Sequence, residues 1–404
     1  MMHGQGWRLE NRVATLLVIL LFPVFFLYNS GLSKGWFPQF AGGWYGPVSL
    51  FLGIPFALFM AVRWVMRGRR VLVVIDIFVY IFILFCLIWS SFFYSFGLGY
   101  NSDAHQFLYT VEGLMLWFVT YIAFKHCIYE GKAVVKTFLL LWFVMAIIAI
   151  SGGNNGMYYA AQQAVDDYSL QIASYQGFAR SALVVSAVIL ATLQGWRLVL
   201  FSGGSLILLF VLGARTEFVG IVIVTVCIMF AERRNMLLRV GGISAVLLIV
   251  SVIAYQYANF VDQSRVLNLL HLGNDSSWQE RSVYQQVAWT TISEHWLFGD
   301  FGSQQLAGSS GAYSHNALSA WVAYGFFGFL QFTLLNLFCM GYTGWMIVSG
   351  KIKSKGLAAF AFAMSSYCVV CMIFAKSVGD PVFAISWGST AAVFASRQKA
   401  LAQV

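Results

Sequence analysis

Four arginines and one histidine carry the chemistry in this chain: Arg180, Arg215, Arg265, Arg281 and His315. Each adjoins a long apolar run or lies in a polar stretch between two such runs. A guanidinium is a planar fork suited to bidentate capture of phosphate, where a lysine offers only a point charge. A neutral imidazole near pH 7 is the side chain best suited to taking a proton from a hydroxyl. Arginines gathered with a histidine therefore predict a polyanion site beside a general base. His315 lies in Tyr313-Ser314-His315-Asn316, where Ser314 and Asn316 are candidates for orienting the ring or a ligand. For Arg215 the competing expectation is an ion pair with Glu217 or a headgroup contact, and for Arg265 and Arg281 it is solvated surface. Lys34 and Lys376 read as interfacial lysines whose stems snorkel to headgroups. His105, His271 and His295, with Asp300, match no compact metal spacing, and no metal or cofactor is expected.

The elements that must position these residues follow from composition. The chain has 404 residues, 60% hydrophobic and 10% charged, against about 25% charged in soluble domains. A water-soluble enzyme is excluded, and an all-α polytopic membrane protein is expected. Apolar runs fall at roughly 13–29, 48–66, 71–90, 106–128, 134–151, 178–196, 198–213, 217–231, 240–258, 326–349, 356–374 and 382–396, about twelve spans by the length a bilayer requires. Arg8 and Arg12 precede the first run and no small-residue cleavage site follows it, so that helix is expected to be retained. The expected organisation is one membrane domain. Spans occupy 1–258, a large loop and re-entry segment 259–325, and further spans 326–404. A second long interruption covers about 152–177.

Alternating the sides places 18 of the 24 Lys and Arg on one face and 6 on the other, the latter being Lys34, Arg180, Arg215, Arg265, Arg281 and Lys376. By the positive-inside rule the basic face is cytoplasmic, with both termini there and the long loops outside. The net charge of +9 thus reflects topology and gives no reason to expect nucleic-acid binding. An arginine near hydrocarbon costs about 2.5–3.5 kcal/mol and normally faces a cavity or a partner. Cys368 and Cys371 form a C-x-x-C inside an apolar helix, without the strand-helix context of a redox pair.

Three pieces, in order, carry a resemblance. The first is the turn Gly213-Ala214-Arg215-Thr216. The second is the outer-loop run Asp275-Ser276-Ser277-Trp278-Gln279-Glu280-Arg281, followed by His295-Trp296-Leu297-Phe298-Gly299. The third is Ser314-His315-Asn316, leading into Gly325-Phe326-Phe327-Gly328. On these the chain resembles the O-antigen ligase and O-antigen polymerase superfamily of bacterial membrane glycosyltransferases. It departs from the family pattern at Trp296, where proline is usual, and in Asp300-Phe301-Gly302 after the turn.

The resemblance implies a GT-C-like fold in the bacterial inner membrane with a periplasmic active site. It also implies metal-independent, inverting transfer from an undecaprenyl-diphosphate-linked glycan donor. Arg215 and Arg281 would stabilise the diphosphate, with Arg265 and Arg180 in support, and His315 would deprotonate the acceptor. The acceptor would be another lipid-linked repeat in a polymerase, the reading favoured here, or lipid A-core in a ligase. Membrane lipids and a chain-length regulator are the other implied partners. A lipid-linked oligosaccharide flippase is the alternative of another class. The paired broken helices and repeat symmetry common in such transporters are not visible in the sequence.

Overall fold

The computed structural model describes residues 9–36, 43–67, 72–98, 104–154, 157–158, 175–232, 276–303, 313–350 and 355–401, with a few positions between 241 and 252. The described helices are α1 (Leu9–Ser33), α2 (Tyr45–Arg63), α3 (Val74–Ser95), α4 (Ala104–His126), α5 (Lys132–Ser151), α6 (Tyr175–Leu190), α7 (Trp196–Val211) and α8 (Arg215–Ala231). They continue with α9 (Ser276–Glu294), α10 (Leu318–Ser349), α11 (Lys355–Phe374) and α12 (Val382–Leu401). A two-residue hairpin pairs Gly153–Asn154 with Met157–Tyr158. Seven of these helices, α1 to α5, α10 and α11, are long and apolar enough to cross a membrane. A helix covers every run expected from the sequence except 240–258, nearly all of which lies outside the described residues, as does Arg265.

The apolar surface has the disposition that a bilayer demands. On α3 the side chains of Val74, Ile77, Phe78, Ile81, Leu84 and Ile88 recur at three- and four-residue spacing and are all exposed. The opposite face buries Ile75, Val79, Phe82 and Cys86. Lipid replaces water on such a stripe without penalty, and the buried face holds the bundle together by close packing. The core is one cluster running through most of the helices, and its aromatic part lies where α3, α4, α10 and α12 meet. There Phe82 stacks on Trp117 at 5.8 Å, and Trp117 meets Trp387 edge-on at 5.6 Å. The Trp387 indole N–H donates to Asn336 Oδ1 at 3.1 Å, so a large polar handle inside the core is satisfied.

On the face expected to be cytoplasmic, charges counted as loop charges are structural. Lys125 is buried and donates to both carboxylate oxygens of Asp76 at 2.7 Å. The Tyr121 hydroxyl donates to the same carboxylate, whose second oxygen accepts the Val73 N–H at 2.6 Å, at the start of α3. Glu10 pairs with Arg63. Glu130 accepts the Gly356 N–H at 2.8 Å, satisfying one of the orphan donors at the start of α11. The acids on the basic face thus cap helices or neutralise cations.

The elements around His315 are held by a break in α10. Gly325 sits at φ +68° and ψ −171° inside the helix, a conformation essentially restricted to glycine. Into that break docks the turn Leu297-Phe298-Gly299. The Asp300 N–H donates to Val322 O at 2.7 Å, the Phe326 N–H reaches Trp296 O and Leu297 O at 3.2 Å, and the Trp321 indole donates to Trp296 O at 2.7 Å. Carbonyls and amides freed by the helix break are paired by the turn, which is how irregular backbone is tolerated at membrane depth. The expected helical patch at Val283–Ser293 is part of the longer α9, whose Ala288 and Ile292 pack on Leu318 and Val322 of α10.

Candidate active site

His315 is positioned by a turn tied to two other elements. Asn316 Oδ1 accepts the Leu318 N–H at 3.0 Å, closing the turn that begins α10. Ser314 Oγ lies 2.7 Å from that same oxygen and donates to it. Ser314 and Asn316, the candidates for orienting the ring or a ligand, make hydrogen bonds that hold the backbone around His315. The turn is fastened to the end of α11 and to the α11–α12 connection: the Ala317 N–H donates to Met372 O at 2.7 Å, and the Val378 N–H to Ser319 Oγ at 2.8 Å.

The imidazole packs beside Tyr313, with ring centroids 4.8 Å apart, and Tyr284 of α9, at 6.4 Å. A ring N–H donates to the Ala375 carbonyl, which leaves the other nitrogen as the acceptor. Burial, followed by the positive charges of Arg281 and Lys376, pulls the His315 pKa from 6.5 down to about 4, against a smaller upward pull from the Ala375 carbonyl and Asp380. At neutral pH the ring is uncharged and can accept a proton.

His315 lies on the wall of a cavity of about 520 Å³. Tyr45, Gln106, Tyr109, Glu112, Trp117, Gln176, Arg180, Tyr313, Lys376 and Asp380 also line it. Into it projects a charge cluster that the sequence reading did not assemble. Arg180 Nη2 contacts Asp380 at 2.8 Å, Lys376 Nζ contacts Glu217 at 2.8 Å, and Lys376 also lies 3.5 Å from Asp380. The expectation for Lys376 is corrected: it is 5% exposed, and two carboxylates hold its ammonium. Burial alone would lower the Lys376 pKa, but Glu217 and Asp380 outweigh it and hold the pKa above the usual lysine value. Burial likewise pushes Asp380 toward the neutral form, and Arg180 and Lys376 override it, so Asp380 stays ionised. Lys34 by contrast is exposed, its ammonium 5.3 Å from the Trp36 ring centroid.

The remaining arginines divide. Arg281 is half-buried on α9, off the cavity wall but near enough for its charge to act on His315. Arg215 opens α8, two residues before the buried Glu217, and is not among the residues lining this cavity. The Glu217 carboxylate, the alternative partner considered for Arg215, is engaged at Oε1 by Lys376.

The chain matches no family model and no curated protein.

The residues that sequence reasoning missed are Glu217 as a partner of Lys376, Asp380, and the aromatic and polar face from α2 and α4. Asp380-Pro381 does carry a signal, since an acidic residue ahead of proline marks a helix start. Asp380 Oδ1 indeed accepts the Val382 N–H at 3.0 Å. That signal says nothing of its second oxygen, which meets Arg180 from 200 positions away in the chain.

Proposed function

We propose that this chain is an inverting, metal-independent glycosyltransferase of the bacterial inner membrane. It would take an undecaprenyl-diphosphate-linked glycan as donor on the periplasmic side and polymerise surface-polysaccharide repeats, with a GT-C-like arrangement of about twelve spans. The observation that supports this reading best is the place of His315: a half-buried imidazole on the wall of the cavity, in a turn fastened to neighbouring helices, with a cation on α9 nearby. In the reaction its free nitrogen takes the proton of an acceptor hydroxyl as that oxygen attacks the anomeric carbon, and the diphosphate leaves from the opposite face in one displacement. Charge grows on the diphosphate as the glycosidic bond breaks. A fixed guanidinium in a water-poor site stabilises it without reorganising. Arg281 is assigned that role, with Arg215 and Arg265 in support.

The acceptor decides between two outcomes of one chemistry. A second lipid-linked repeat makes the enzyme a polymerase, and lipid A-core makes it a ligase. The purified protein in lipid nanodiscs, given an undecaprenyl-diphosphate-linked glycan and either acceptor in the presence of a chelator, tests the proposal. Longer lipid-linked chains support it, glycosylated lipid A-core moves it to the ligase reading, and movement of intact donor across a vesicle bilayer without new glycosidic bonds replaces it with a flippase.

A further inference from the structure

Two polar atoms on the cavity wall are conspicuous for what they lack. Arg180 Nε and the Tyr45 hydroxyl are both buried from solvent, and neither has a well-aligned hydrogen-bond partner among the described residues. They come from different helices, α6 and α2, and lie next to each other, the guanidinium within reach of the phenol oxygen, which leaves the phenol's own hydrogen without an acceptor. Both are held in place. The far end of the guanidinium is fixed by Asp380 at 2.8 Å, and the Tyr45 ring is stacked on Phe25 at 4.2 Å, nearly parallel. Buried donors are normally satisfied, and an exception on the wall of a cavity is best explained by a group that arrives with a ligand.

The charges decide what kind of group. Arg180 and Lys376 supply two positive charges to the cluster, and Glu217 and Asp380 supply two negative ones at 2.8 to 3.5 Å, so it is neutral by itself. Glu112, on the same wall, adds a negative charge. A phosphate or carboxylate entering here would meet an arginine already neutralised and two carboxylates in a poorly hydrated space, and like charges at such range repel. An uncharged acceptor of hydrogen bonds suffers no such penalty. Gln106, Gln176 and Thr110 add further hydrogen-bonding groups, and the Tyr109 and Tyr313 side chains offer ring faces. The volume of about 520 Å³ lies within the roughly 300–1,000 Å³ usual for small-molecule sites.

We propose that this cavity is a subsite for an uncharged sugar unit bearing hydroxyl or N-acetyl groups, whose oxygen accepts hydrogen bonds from Arg180 Nε and Tyr45 Oη. The choice of a sugar over other neutral ligands rests on the glycosyl-transfer reading above. Arg180 then reads the glycan, and the diphosphate belongs with Arg281, away from this wall. His315, between the two, faces the hydroxyl it is to deprotonate.

The test is saturation-transfer NMR on the full-length protein in detergent, with methyl glycosides of glucose, N-acetylglucosamine and glucuronic acid, and separately 31P line broadening with inorganic phosphate. The neutral glycosides are expected to bind, and Tyr45→Phe, which removes one oxygen from a stacked ring, should weaken them about tenfold, the worth of one good hydrogen bond. Arg180→Lys keeps a charge for Asp380 but loses Nε and should weaken them similarly, with thermal unfolding as the check on folding. Tighter Tyr45-dependent binding of glucuronide or phosphate, binding indifferent to both substitutions, or no binding by either neutral glycoside overturns the proposal. Transfer assays separate it from the parent reading. Neutral glycosides bound through Tyr45 by a protein that transfers nothing keep the subsite and remove the reaction. Transfer with an unchanged sugar KM after Tyr45→Phe keeps the reaction and removes the subsite.

Discussion

Gly299 and Gly325 lie backbone against backbone: a Cβ on Gly299 would stand 2.6 Å from Gly325 N, and a Cβ on Gly325 would stand 2.2 Å from Leu297 O. Both have positive φ, near +70°. The contact locks the turn after α9 into the break of α10, so the helix carrying Arg281 and the turn carrying His315 share one rigid joint. Gly325→Ala should cost more than the roughly 1–3 kcal/mol of its backbone conformation alone, since the obstacle is a carbonyl and not a flexible side chain. Thermal unfolding in detergent should fall markedly. Gly341→Ala, on the same helix with no described atom within 4 Å of an added Cβ, is the control and should change little.

Lys376 and Glu217 make the second test. Removing one member of a buried pair leaves an uncompensated charge and typically costs about 3–5 kcal/mol, whereas replacing both is often close to neutral. Lys376→Met should therefore destabilise the protein strongly, and Lys376→Met combined with Glu217→Gln should recover much of the loss. A double-mutant cycle on unfolding free energies reads this directly. Additive losses would mean that the 2.8 Å contact carries no coupling.

Helix positions were legible in the sequence because membrane helices announce themselves by run length, and α3, α5 and α11 lie within a few residues of their apolar runs. His315 stood out as a candidate in the sequence because a basic side chain ends a long polar stretch. What stayed hidden depends on pairing between distant helices. Lys376 looks like an interfacial lysine until Glu217 of α8 is brought to 2.8 Å, and Lys125 looks like a loop charge until Asp76 of α3 meets it. Tyr45, among 19 tyrosines, has no local sequence feature that marks it. Its unsatisfied hydroxyl is a property of packing.

Orientation is testable apart from chemistry. With 18 basic residues on one face and 6 on the other, a cysteine replacing Gly308 should react with a membrane-impermeant thiol reagent in intact spheroplasts, and one replacing Ser354 should react only after lysis. Background should be low, because Cys86, Cys127, Cys339, Cys368 and Cys371 are buried and Cys227 is only partly accessible. Labelling at Ser354 with Gly308 protected would put His315 on the cytoplasmic side, where a periplasmic glycan donor cannot reach it.

The last prediction concerns protons at His315. Its pKa is held near 4 by burial and by Arg281 and Lys376, with the Ala375 carbonyl and Asp380 pulling weakly the other way. A general base works in its unprotonated form, so turnover should rise with pH through a value near 4 and stay flat from about pH 5.5 through neutrality, where an unperturbed histidine would still be titrating near 6.5. Arg281→Ala removes one of the charges that disfavour the imidazolium, so the acid limb should move upward toward 6.5 while the plateau falls for want of diphosphate stabilisation. A residue that served only to hold the fold would lower the plateau without moving the limb. His315→Ala should lose about 10²–10⁴-fold in turnover while donor binding, followed by thermal shift with the lipid-linked glycan, persists. Wild-type turnover in that variant, or a limb fixed at 6.5 in both the parent and Arg281→Ala, removes the histidine from the reaction and leaves the cavity as a binding site alone.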